Sequence, residues 1–143
     1  MTTESGPFDL QNTRLVMGPG GETTPIAVTP SFYEDLDRRF DQFAGHMLVS
    51  RFDFSEPWPM WEMHPKGDEF VYLLSGDVDF LLKTATGEQR LHVDQPGAYV
   101  IVPKGTWHTA HPNAPTSMLF ITPGEGTENR ETQIGRASCR ERV

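Results

Sequence analysis

The pattern of apolar and polar positions changes period once along this chain, near residue 45. Before that point Phe32, Leu36 and Phe40 recur at helical spacing. Thr29 is a suitable N-cap, Pro30 suits a first helical position, and Glu34 and Asp35 complement the positive end of the helix dipole. This spacing predicts a helix over residues 30–40. From His46 onward the period is two. Residues 46–54, 69–74, 78–83, 90–93, 99–102 and 117–122 read as strands, broken by turn signals at Ser75-Gly76-Asp77, residues 84–88 and Pro96-Gly97. Pro57 and Pro59 limit regular pairing between the first two, because proline removes ladder donors. Residues 1–25 are polar and glycine-rich, with a loop at residues 17–22 and room for one strand near Leu15 to Met17. Short strands at roughly ten-residue spacing predict an all-β sandwich or barrel with a short N-terminal helix.

Composition narrows this picture. With 143 residues, 36% hydrophobic and 22% charged, the chain fits one globular domain. A net charge of −8 argues against a nucleic-acid footprint, which needs a basic face. No apolar stretch approaches a membrane span, and Met1 to Leu10 lacks the basic and apolar regions of a signal peptide, so a soluble cytoplasmic protein is expected. The last ten residues, 134–143, match the conceptual translation of a common sequencing adapter, whose next triplet is a stop codon, and are set aside as foreign. The single cysteine, Cys139, falls in that tail, so no disulfide is expected. Setting aside its three Arg and one Glu takes the net charge from −8 to −10.

Residues able to bind metal concentrate in two turn-flanked segments. In the first, Glu62 and His64 stand two apart, so on extended chain they share a face. A turn at residues 65–68 would return Glu69 on a neighbouring strand. In the second, Gly97-x5-Pro103-x-Gly105-x2-His108, a Pro/Gly turn delivers His108. Nitrogen and carboxylate ligands without thiolate suit one divalent ion: Mn, Fe, Ni or Zn.

At these residues the chain resembles the cupin superfamily. His64-x4-Glu69-x6-Gly76 and Gly97-x5-Pro103-x-Gly105-x2-His108 match the two cupin motifs in type and spacing, over residues 45–123. Three departures stand out: Glu62 where the family has its first histidine, Glu56 for the leading glycine, and Pro112 for the final asparagine. The resemblance implies an antiparallel β-barrel or jelly roll, with residues 1–44 as an N-terminal extension and 124–133 as an exit loop. It implies a metal held by His64, Glu69 and His108. Glu62 is then a fourth ligand, an outer acceptor orienting an imidazole, or a general base, or its presence abolishes binding. Met60, Trp107 and Tyr99 are candidate substrate contacts, with packing as the competing role. His46 is a candidate for touching substrate or orienting a ligand.

Three functions remain open at this level. One is a metal-dependent enzyme, of dioxygenase or isomerase type, acting on a small organic molecule. Another is a binding or sensor module that does not turn its ligand over. A third is a metal-free sugar-modifying barrel using His and Tyr as acid and base. Phe70, Tyr72 and Leu74 lie opposite Glu69 on their strand; left uncovered, that face would be buried by a second subunit, giving a homodimer.

Overall fold

The computed structural model describes residues 4–131. The chain runs β1 (Thr13–Met17), β2 (Thr23–Ala27), α1 (Phe32–Arg39), a 3₁₀ turn (Asp41–Phe43), β3 (Met47–Phe54), β4 (Met60–Met63), β5 (Glu69–Ser75), β6 (Val78–Thr84), β7 (Gly87–Val93), β8 (Tyr99–Val102), β9 (His108–Pro112), β10 (Thr116–Thr122) and β11 (Glu128–Glu131). Two antiparallel sheets face each other: six strands in the order β2-β1-β3-β10-β5-β8, and five in the order β11-β4-β9-β6-β7. No helix among the described residues is long and apolar enough to cross a membrane.

Strand alternation builds the core. On β5, Glu69, Val71 and Leu73 point inward, while Phe70, Tyr72 and Leu74 point out. Phe80, Phe120, Met118 and Val78 complete the interior without measurable exposure. Apolar burial of this kind drives folding in proportion to the area removed from water. Gly76 turns β5 into β6 at φ +109°, and a Cβ there would lie 2.5 Å from the Pro115 carbonyl oxygen, so only glycine fits.

Several boundaries differ from the sequence-based expectation. The helix begins at Phe32 with Ser31 at the N-cap position, not at Pro30 after Thr29. The Phe32 amide bonds the Thr29 carbonyl in a turn, and the Ser31 hydroxyl bonds Asp35 at 3.0 Å instead of capping the backbone. Two strands, not one, precede the helix. β1 pairs with β3, and β2 pairs with β1 at the sheet's edge, where Pro25 is tolerated. Residues 128–131, expected in an exit loop, form β11 on β4. Every residue of β11 is exposed, so no alternation marked it as a strand. The adapter-like segment 134–143, with Cys139, lies outside the described residues.

α1 packs Phe32 and Leu36 against Val16, Ile26, Phe43 and Leu48, a second apolar cluster beside the main core. Asp41, Gln42 and Phe43 all take left-handed backbone angles, φ 53–64°, which is costly for non-glycine residues and turns the chain sharply from the helix into β3.

Candidate metal centre

The polar groups of the interior gather at one end of the sandwich. Glu69 opens β5, His108 opens β9, Thr122 closes β10, and Glu62 lies on β4 directly opposite His108. Glu62, Glu69 and His108 have no exposed surface and His64 retains 3%. Two contacts clamp the motif segments together. The Gly105 amide donates to the His64 carbonyl at 2.9 Å, and the Lys104 amide donates to Asp68 at 2.8 Å.

Each imidazole has its tautomer set from behind. His108 Nδ1 lies 3.0 Å from the Thr106 carbonyl oxygen, which can only accept, so Nδ1 carries the proton. His64 Nδ1 lies 2.8 Å from Thr127 Oγ1, whose own proton goes to the Gly124 carbonyl at 2.9 Å; Nδ1–H therefore donates here too. Both Nε2 atoms then face the carboxylates. Glu69 Oε1 is 3.1 Å from His108 Nε2 and 3.5 Å from His64 Nε2, and Glu62 Oε1 is 3.8 Å from each. Glu69 Oε2 is taken by the Thr122 hydroxyl at 2.6 Å, which aims Oε1 at the imidazoles.

These atoms fit a metal ion. His64 Nε2, His108 Nε2 and Glu69 Oε1 are buried and none makes a hydrogen bond of acceptable geometry. Lone pairs facing carboxylates in a dry interior require a cation between them, either a proton or a metal. The donor atoms of Glu62, His64 and His108 lie within 4.8 Å of one another. Ligands at about 2.1 Å from one ion stand roughly 3.0–3.4 Å apart, so these separations close on an ion with small adjustments. Glu69, nearer both imidazoles than Glu62, extends the set.

Burial by itself would raise the Glu69 carboxyl, but His64 and His108 outweigh it and hold Glu69 well below the ordinary 4.5. Burial would likewise lower His108, yet Glu69, Glu62 and the Thr106 carbonyl raise it above the ordinary 6.5. In metal-free protein the Glu69 contribution to stability is present above pH 4.5 and is lost as pH falls through its depressed value. The His108 contribution is present below pH 6.5 and is lost as pH rises through its raised value. Both act together between those limits. Metal-free protein is therefore expected to melt higher near pH ~5.5 than near pH ~8.5, while divalent ions bind more tightly at the higher pH because binding displaces protons. Calorimetric melts and metal titrations at both values check this. Equal affinity at the two would contradict it.

The two motifs of the sequence thus meet at one buried centre between two antiparallel sheets. The fold is the antiparallel β-sandwich, with one short helix, that the sequence led us to expect. No protein-family model matches the chain, and no curated protein matches it. Among solved structures, it is similar to a cupin-2 domain containing protein from Shewanella frigidimarina, at 17% identity over 54% of this chain and 70% of that one, TM-score 0.46. It is also similar to hydroxypropylphosphonic acid epoxidase from S. wedmorenis, at 14% identity over 53% of this chain and 42% of the epoxidase, TM-score 0.46. A mutant of Bacillus subtilis oxalate decarboxylase matches at 19% identity over 59% of this chain and 23% of the decarboxylase, TM-score 0.48. The chain thus spans less than half of either enzyme.

Beside this centre lies a cavity of about 340 Å³. His64, Thr122 and Thr127 line it where it meets the centre; Leu36, Phe43, Leu48 and Phe52 supply apolar walls, with Tyr33, Asp37, Ser50 and Asn129. None of the four substrate contacts expected from sequence is among these lining residues. Met60 is buried next to Glu62 on β4. Trp107 lies under the Arg130 guanidinium at 4.3 Å. Tyr99 is 61% exposed on the outer face of the larger sheet, against Phe70. His46 precedes β3 and packs on Phe40 and Phe43, its Nδ1 bonded to the Ala44 carbonyl. The lining comes instead from α1, β3 and residues 122–129, segments mostly outside the matched motifs. Only the alternation of Leu48, Ser50 and Phe52 on β3 could have signalled it.

Proposed function

We propose that this chain is a metal-dependent enzyme, of dioxygenase or isomerase type, acting on a small organic molecule held in the cavity beside His64. His64, Glu69 and His108 would hold one divalent ion, Fe, Mn, Zn or Ni, with Glu62 as fourth ligand or general base. The observation that carries this is the pair of Nε2 lone pairs, fixed by Thr127 and the Thr106 carbonyl, converging on buried carboxylates. When bound, the ion supplies Lewis-acid polarisation of a substrate oxygen or, if it is iron, a site for O₂. The chain's own residues bind the substrate in an apolar enclosure and limit its contact with water. Glu62, 3.8 Å from both imidazoles, does not line the cavity, so a base role would require the substrate to reach past His64 toward the ion.

One observation favours a second, non-catalytic reading. Of the four polar residues, only His64 lines the cavity. A sensor that reads its ligand through His64, without turnover, would be built the same way.

The proposal extends to a homodimer. On the outer face of the larger sheet, strand registers align Leu15, Val49, Ile121, Phe70 and Ile101 in one apolar row, with Leu119, Tyr72 and Tyr99 beside it. Ile101 is 46% exposed. A second copy is the occupant this face suits. Native mass spectrometry tests ion and assembly together: two chains carrying two divalent ions is the expected species. Monomer at micromolar concentration overturns the dimer, and protein that takes up no Fe(II), Mn(II), Ni(II) or Zn(II) overturns the metalloenzyme. Candidate small molecules that raise the melting temperature yet yield no product under air or argon would favour the sensor reading.

A further inference from the structure

The cavity wall also carries information about what enters it. β3 presents Leu48, Ser50 and Phe52 to the cavity at alternate positions. Ser50 is 2% exposed, its hydroxyl makes no side-chain hydrogen bond found among the described residues, and that hydroxyl is not sealed off from the cavity it lines. The neighbouring hydroxyls are differently placed. Thr122 is committed to Glu69, and Thr127 is committed to His64 and the Gly124 carbonyl. Ser50 is thus a hydrogen-bonding group on an otherwise apolar strand face, lining the cavity together with Leu36 and Phe43. A hydroxyl that opens on an otherwise apolar cavity wall and has no protein partner is placed to bind a ligand's polar atom.

Charge narrows the class further. No Lys or Arg lines the cavity, Asp37 lies at its exposed mouth, and the Glu69 carboxylate lies behind Thr122. In metal-free protein an anion entering here would meet Asp37 with no cationic side chain among the lining residues; Arg14, which stacks on Phe52 and donates to the Tyr33 hydroxyl, stands behind the wall.

We infer that the cavity selects a small, neutral, mainly apolar molecule bearing one hydroxyl or carbonyl oxygen, and that Ser50 is the group that reads that oxygen. The inference rests on the reading of this cavity as the ligand site of the proposed enzyme. Ser50 is a specificity residue within that site, separate from the metal-binding set.

The test uses 4-methylphenol, toluene and 4-methylbenzoate as probes, titrated into the full-length protein and followed by backbone amide NMR. Each titration is run on metal-free and on Zn(II)-loaded protein. 4-Methylphenol is expected to shift the amides of Ser50, Phe52 and Thr122 and to bind about tenfold more tightly than toluene, the margin of one well-placed hydrogen bond. Ser50→Ala, verified as folded by its amide spectrum, should bring 4-methylphenol down to the toluene affinity. Ser50→Thr keeps a hydroxyl and should retain part of the preference. Tighter binding of 4-methylbenzoate to the metal-free protein, an unchanged preference in Ser50→Ala, or no binding of either neutral probe at millimolar concentration would overturn the inference. Because metal-free protein is tested alongside, failure of metal binding would leave a Ser50-dependent preference standing, and the two failures are told apart.

Discussion

His108→Ala is expected to carry only background metal under conditions where the unaltered protein carries one divalent ion per chain. His108 supplies one of two imidazole nitrogens at the centre, and its Nε2 is the donor nearest to Glu69, at 3.1 Å. Without it an ion would keep one nitrogen and carboxylates, a poorer set for the transition metals favoured by imidazole. The change also leaves the fully buried Glu69 with His64 as its remaining charge partner. Breaking a buried pair in this way costs about 3–5 kcal/mol, so the metal-free variant should also melt well below the metal-free parent. His46→Ala is the control, because His46 packs on Phe40 and Phe43 away from the centre. Elemental analysis of both variants, with urea titrations, checks the prediction. A His108→Ala protein that retains a full complement of metal would remove His108 from the ligand set.

Thr127→Val should weaken metal binding by about 10–100-fold, the usual effect of removing the group that orients a ligand imidazole. The Thr127 hydroxyl stands between His64 Nδ1 and the Gly124 carbonyl, and valine keeps the shape while removing the acceptor. His64 would then have a buried N–H without its partner and would be free to adopt the other tautomer, turning a proton toward the ion. Thr127→Ser restores the acceptor and should recover most of the affinity. Isothermal titration with Zn(II) and Co(II) measures the affinities, and the Co(II) absorption bands report whether ligand geometry changes. Equal affinity in the valine variant would mean that His64 is oriented without Thr127.

These two residues differ in how they could be found. His108 was legible in the chain because a Pro/Gly turn and a fixed spacing announce it. Thr127 was not, since it sits in a polar stretch that looks like an exit loop. Its role exists only because β11 pairs with β4 and carries residues 124–127 to the back of His64. The expected substrate contacts lie away from this cavity for a related reason. Met60, Trp107 and Tyr99 are near the motifs in sequence, but strand alternation and sheet pairing direct them into the core, under Arg130 and onto the outer face.

By itself, then, the sequence determined the all-β class, a helix within residues 30–40 and the two motifs whose polar residues meet at the centre. Those are local properties: a period of two, turn residues at set offsets, and side chains whose chemistry does not depend on neighbours. Tertiary structure alone decided which hydroxyls stand behind Glu69 and His64, and that the N-terminal helix, β3 and the return segment enclose the cavity. It also decided that Ser50, rather than the aromatic residues near the motifs, lines that cavity. Each of these depends on strands far apart in the chain pairing in one register, and a single-residue slip would turn every such side chain to the opposite face.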